Sequence, residues 1–242
     1  MESRQLHSAV FGLCGFEDET LVEISGPGNS GKSLVLQQLM AHCLAPYEFG
    51  GRQWGVLLIN LSHKINRESL TKCIKTELQA FFERTEAGES LPEAELARIA
   101  AECMGRVRFL NCFSTEDVAT ALIDARYAVV DDPDVQLVAL DTLGEFYWLD
   151  FHKRTEHLSM IQYCSEWQAR LEKLCKEAIV CGMYTVNSAH LENLSEQSEL
   201  LPEVKIKYPV RMEKIQGSLT LNGLPLVFGN GGAKLASQQV SG

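Results

Sequence analysis

The chain has 242 residues, 45% of them hydrophobic, with 22 basic against 32 acidic residues, a net charge of −10 and a pI near 5.1. That is enough apolar material for one α/β domain with a sizeable core, and the acidic balance argues against autonomous, strong nucleic-acid binding while leaving room for a local basic patch. There is no apolar run of membrane-span length, and Met1-Glu2-Ser3-Arg4-Gln5 lacks the basic and apolar regions of a secretory signal.

In chain order, residues 1–16 are too short for a domain and read as a lead-in to a first strand, Leu21-Val22-Glu23-Ile24-Ser25, an alternating apolar run. An amphipathic helix follows over Leu34 to Met40. Pro46 and Gly50-Gly51 break the chain before Gly55 to Leu61, whose continuous apolar run suits a parallel strand buried on both faces. Leu70, Cys73, Ile74, Leu78, Phe81 and Phe82 mark one face of the next helix. The polar stretch Glu83 to Glu95 reads as an exposed loop, with Pro92 suited to the first turn of a helix carrying Leu96, Ile99, Ala100 and Cys103. Val107 to Cys112 is a third strand, Ser114 resembles a cap for the helix after it, and Val135 to Leu140 is a fourth strand closed by Asp141. Leu158 to Ala178 is a long helix and Ile179 to Val186 a fifth strand. Residues 190–207 form an acidic loop with Glu192, Glu196, Glu199 and Glu203. Leu219 to Leu221 and Leu224 to Phe228, joined by Asn222-Gly223, form a hairpin, and residues 229–242 read as a flexible tail. The eight cysteines (14, 43, 73, 103, 112, 164, 175 and 181) include no CxxC pair and read as reduced, buried small hydrophobes of a cytosolic or nuclear protein rather than zinc ligands. The order predicts one α/β domain over 1–242: a mostly parallel central sheet flanked by helices, with a C-terminal antiparallel hairpin.

Between the first strand and the first helix stands Gly26-Pro27-Gly28-Asn29-Ser30-Gly31-Lys32-Ser33, a match to GxxxxGK[ST] in the strand–loop–helix context that pattern requires. Glycines let backbone N–H groups turn inward on a triphosphate, and the helix N-terminus adds partial positive charge. Lys32 is expected to reach the β- and γ-phosphates of ATP, and Ser33 to ligate Mg²⁺. Asp141 has the spacing of the strand-end aspartate that holds this ion; by itself an Asp there is as often a turn residue.

From Asp141 through Thr142-Leu143-Gly144-Glu145-Phe146-Tyr147-Trp148-Leu149 to Asp150, the chain resembles the RecA/RadA-type strand-exchange ATPases, specifically their eukaryotic paralogues built of the ATPase core without an N-terminal domain. Leu13 to Glu17, the strand order and Phe228-Gly229-Asn230-Gly231-Gly232 extend the resemblance over nearly the whole chain. It implies a role in homologous recombination in the nucleus, with ATP and Mg as ligands. The implied partners are another recombinase paralogue or an adaptor, the recombinase filament, and single-stranded DNA bound weakly or through the complex; no membrane is involved. It also implies ATP lying between neighbouring cores, with no linker strand here to donate to a neighbour.

The departures from the family pattern matter. Where the family ends its second strand in Asp-Thr-Glu, with the glutamate aligning the attacking water, this chain has Asn60-Leu61-Ser62, so weak or no intrinsic ATPase is expected. The family's sensor glutamine falls near Asn187. The second loop, which binds DNA in true recombinases, is acidic, whereas Phe151-His152-Lys153-Arg154 is basic: Lys153 and Arg154 are candidates for phosphate contact, with a solvated loop the commoner explanation. A P-loop small-molecule kinase or a helicase-type ATPase would share the phosphate loop. The first needs an Arg-rich lid, and the second a catalytic glutamate and an arginine finger.

Overall fold

The phosphate-loop strand, β1 (Leu21–Gly26), has all six residues buried, because it runs between two parallel neighbours and is covered on both faces. The computed structural model describes residues 6–12, 17, 19–85, 90–153, 158–191, 204–215, 217–229 and 232–235. Among these the helices are α1 (Leu6–Phe11), α2 (Lys32–Leu44), α3 (Arg67–Thr85), α4 (Glu93–Gly105), α5 (Thr115–Asp131), α6 (Tyr147–Phe151) and α7 (Met160–Ala178). The remaining strands are β2 (Gly55–Asn60), β3 (Val107–Asn111), β4 (Val135–Leu143), β5 (Cys181–Asn187), β6 (Tyr208–Ile215), β7 (Ser218–Leu221), β8 (Leu224–Gly229) and β9 (Gly232–Leu235).

The sheet order is β3-β2-β4-β5-β1-β6-β7-β8-β9. Pairings from β3 through to β6 are parallel, and those from β6 to β9 antiparallel. This is the α/β architecture of a RecA-like core. Alternation along each central strand builds two cores. Leu58 of β2 joins Val22, Ile24, Leu36 and Ile74 on one side; Leu57 and Ile59 join Leu140, Trp167, Leu171 and Tyr184 on the other.

Several boundaries differ from the sequence reading. β4 does not close at Asp141 but continues to Leu143. α3 runs to Thr85, and Pro92 is the residue before the first turn of α4 rather than inside it. Ile179 does not start β5: it ends α7 in the left-handed region at φ 56° and is exposed. β6 had no signal beyond short apolar alternation, and pairing with β1 places it in the sheet. The segment read as a tail contains β9, with Ala233 and Leu235 buried. Gln38 of α2 holds this strand: its Nε2 donates to Ala233 O (3.1 Å) while Ala233 N donates to its Oε1 (2.7 Å). Cys14, Gly15 and Phe16 of the lead-in, and the acidic loop from Glu192 to Glu203, lie outside the described residues. The seven described cysteines are free thiols, all buried except half-buried Cys73. Among the described residues no helix is long and apolar enough to cross a membrane.

Candidate nucleotide-binding site

The loop from Gly26 to Ser33 crosses from β1 to α2 through two left-handed residues, Asn29 at φ 56° and Gly31 at φ 86°. Gly31 sits at the N-cap of α2, and its carbonyl accepts from Leu34 N and Val35 N, each at 3.0 Å. The ring of Phe228, on β8, lies so close that a Cβ at Gly31 would fall 2.5 Å from its Cζ. Only glycine meets both demands. Lys32 folds its ammonium over the loop, donating to Gly26 O (2.9 Å) and Pro27 O (2.7 Å). The Ser30 hydroxyl is buried and has no partner among the described residues.

Ser33 meets Asp141 across the head of the sheet, its hydroxyl donating to Oδ1 at 3.0 Å. Asp141 is fully buried and gathers three further hydroxyls. Ser62 donates to Oδ2 (2.6 Å), while Thr185 (2.5 Å) and Thr142 (3.1 Å) donate to Oδ1. Thr142 and Thr185 also contact each other. The main chain of Asp141 is held as well, its carbonyl accepting from Leu61 N (2.7 Å) and Ser62 N (2.9 Å). Hydrogen bonds from this many donors satisfy the buried carboxylate and fix its orientation. The paired hydroxyl and carboxylate oxygens of Ser33 and Asp141 suit Mg²⁺, a hard cation that takes one or two protein oxygens and completes its shell with phosphate and water. Together with the loop amides, Lys32 and the orphaned Ser30 hydroxyl, the residues fit a magnesium–triphosphate group: Ser33 and Asp141 would hold the ion, which neutralises phosphate charge when bound.

Ser30, Lys32, Ser33 and Thr142 line one cavity of about 590 Å³, with Lys64, Glu145, Trp148, Met160, Asn187 and His190 also on its wall, and Asp141 is buried behind Ser33 and Thr142. Burial, then the charge of Lys64, holds the Lys32 ammonium below the usual lysine range, with Asp141 acting the other way. His190 is also held low, by burial and then by Lys32, so it is neutral at physiological pH. Asn187 is at the cavity wall, but its Oδ1 accepts from Ala189 N (3.2 Å) and caps the short turn Ser188–His190.

Of the other two candidates, Lys153 does not line this cavity. Lys153 is exposed in the turn after α6, where its charge reaches Glu116 at the start of α5. Arg154 lies outside the described residues. Asp150 closes the segment that Asp141 opens: it is buried and accepts from Thr115 Oγ1 (2.5 Å) and Tyr163 OH (3.2 Å), tying α6 to α5 and α7. Sequence reasoning missed Thr142, Thr185, Lys64 and His190, and gave Ser62 only a negative role. A lone threonine inside the apolar run of β5 was the available signal for Thr185.

No family model matches the chain. Curated proteins do. The mouse protein described as DNA repair protein XRCC2 is 25% identical over 155 residues, covering 62% of this chain and 51% of its own length. The Arabidopsis thaliana DNA repair protein XRCC2 homolog is 23% identical over 155 residues, covering 54% of this chain and 42% of its own length. The chain thus spans about half the length of the curated relatives it matches. With the sheet order and the phosphate-loop site described above, the conclusion is that this chain is similar, over more than half its length, to XRCC2, a RecA-like recombinase paralogue.

Proposed function

We propose that this chain is an ATP-binding recombinase paralogue acting in homologous-recombination DNA repair, in the nucleus. It works as a mediator, partnered with another paralogue or an adaptor and with the recombinase filament on single-stranded DNA. The observation that carries this reading is the 3.0 Å contact of Ser33 with Asp141 at the mouth of an intact phosphate loop, in a chain similar to DNA repair proteins. ATP is held with Mg²⁺ between that pair and the loop from Gly26 to Ser33, and Asn187 borders the phosphate end.

Turnover is slow in this reading. Ser62, at the place where the family's water-aligning glutamate is expected, gives its hydroxyl to Asp141 and has no basic oxygen to offer a water. Loss of water positioning costs several orders of magnitude in rate. Nucleotide therefore serves as a structural ligand that sets the surface offered to partners. The test is a pull-down of recombinase assembled on single-stranded DNA by the purified chain, with and without MgATP. Retention that needs MgATP and is lost in Lys32→Ala supports the reading; no retention in any condition, with the chain folded, overturns it.

A further inference from the structure

We infer that Lys64 is a second phosphate-binding cation of the nucleotide cavity, and that it makes the site select a nucleoside triphosphate over the diphosphate. The inference rests on the reading of that cavity as a nucleotide site and adds the group that discriminates its ligands.

Lys64 follows β2 on a short loop that is held from several sides. At its start, Leu61 N and Ser62 N donate to Asp141 O (2.7 and 2.9 Å), and the Ser62 hydroxyl donates to Asp141 Oδ2 (2.6 Å) while accepting from Lys64 N (3.3 Å). Next to Lys64, His63 is in the left-handed region at φ 55°, its ring stacked on Phe113 with centroids 4.5 Å apart and its Nε2 3.0 Å from Cys112 O. Beyond it, Ile65 is buried and its carbonyl accepts from Asn60 Nδ2 at 3.0 Å. The residues on either side of Lys64 are therefore committed to protein partners. Lys64 alone turns to the cavity that the Gly26–Ser33 loop also lines.

Among the described residues Lys64 enters no ion pair, and its side chain is exposed. Lys32 also forms none there, its ammonium resting on two carbonyls, and the repulsion between the two lysines is felt at Lys32. Asp141 offsets part of that repulsion at Lys32, and the two like charges lining one cavity still favour a polyanion between them. Position then assigns the phosphates. Lys32 and the loop amides stand at the α2 end, whereas Lys64 stands on the Ser62 side of Asp141, beyond the oxygen that Ser33 meets. A phosphate chain running from the loop past the Ser33–Asp141 pair brings its last member to Lys64. With serine at 62, that contact stabilises the bound triphosphate and not its cleavage.

The experiment is titration of the purified chain, in Mg²⁺, with fluorescent N-methylanthraniloyl derivatives of ADP and of a non-hydrolysable ATP analogue, using wild type, Lys64→Ala, Lys64→Gln, Lys64→Arg and Lys32→Ala of matched melting temperature. Wild type should prefer the triphosphate by about tenfold, the worth of one charge-assisted contact. Lys64→Ala and Lys64→Gln should lose that preference with less than about twofold change for ADP, Lys64→Arg should keep most of it, and Lys32→Ala should weaken both ligands. Equal losses for the two nucleotides in Lys64→Ala, or no loss, overturn the role of Lys64 while leaving the nucleotide site standing. A wild-type chain that binds neither nucleotide overturns both.

Discussion

The Ser62 hydroxyl donates to Asp141 Oδ2 at 2.6 Å, so under the proposed function the residue at the place expected of a general base is bound to the carboxylate that would hold the metal. Restoring an acid there does not restore catalysis. In Ser62→Glu a second carboxylate would be pressed against a fully buried one, and like charges at that distance cannot both stay ionised. Phosphate release by Ser62→Glu should stay at the wild-type background while its melting temperature falls. Turnover near an ordinary enzyme rate of about 10 s⁻¹, in either form, would contradict the assignment of Ser62 as a structural donor.

Binding of single-stranded DNA by the chain alone should be weak and lost quickly with salt, given a net charge of −10 and affinity that depends on counterion release. If the basic run after α6 makes the contact, Lys153→Glu together with Arg154→Glu should abolish what remains. Fluorescence anisotropy across a salt series decides it: tight, salt-resistant binding, or binding untouched by the double substitution, argues against that surface.

Glu23 sits inside the sheet, its Oε2 accepting from Tyr184 OH (2.7 Å) and Gln168 Nε2 (3.2 Å). Burial pushes its carboxyl above the usual value of 4.5, against the pull of the Tyr184 hydrogen bond and of Arg211. The folded chain thus keeps this proton to higher pH than the unfolded chain, and the stability tied to it is full below pH 4.5 and declines as pH rises through the folded pKa. Glu23→Gln retains an acceptor for both donors and has no charge to bury. Its melting temperature should match wild type near pH 4 and exceed it near pH 8. A variant less stable than wild type at both pH values would show that the carboxylate itself is required.

Gln38 clasps β9 with both ends of its amide and also donates to Glu77 Oε1 at 3.2 Å. Gln38→Ala leaves a buried strand edge and a buried carboxylate short of partners, a loss of about 1–3 kcal/mol for each group left unsatisfied. In hydrogen exchange, the amide of Ala233 should lose its protection well before those of β1. Unchanged protection at Ala233 would mean that β9 is held by its pairing with β8 alone.

The central fold was legible because its signals are local: an unbroken apolar run for β2 and a largely apolar one for β4, the Ser114 cap, whose hydroxyl accepts from Asp117 N, and Asn222-Gly223 between β7 and β8. The phosphate loop could be read for the same reason, since eight consecutive residues carry it. The rest of the site was not local. Asp141 meets Thr185 across 44 positions and Ser33 across 108, and no spacing rule relates a threonine inside one strand to a carboxylate inside the next. Nothing in the sequence marks Lys64, because the bonds that brace its loop come from Asn60, Cys112 and Asp141. β9 was hidden because its four residues are held by a glutamine in the middle of α2.

Trp148 stands at the cavity rim beside Gly144, Glu145 and His190, and is 63% exposed. The other two tryptophans, Trp54 and Trp167, stand elsewhere, each beneath an arginine, and Trp167 is buried. The chain therefore carries a natural optical reporter of its own cavity. A ligand that enters there dries the indole of Trp148 and shifts its emission to the blue, while the signals of the other two hold still, so occupancy can be followed on unlabelled protein, and Trp148→Phe supplies the blank.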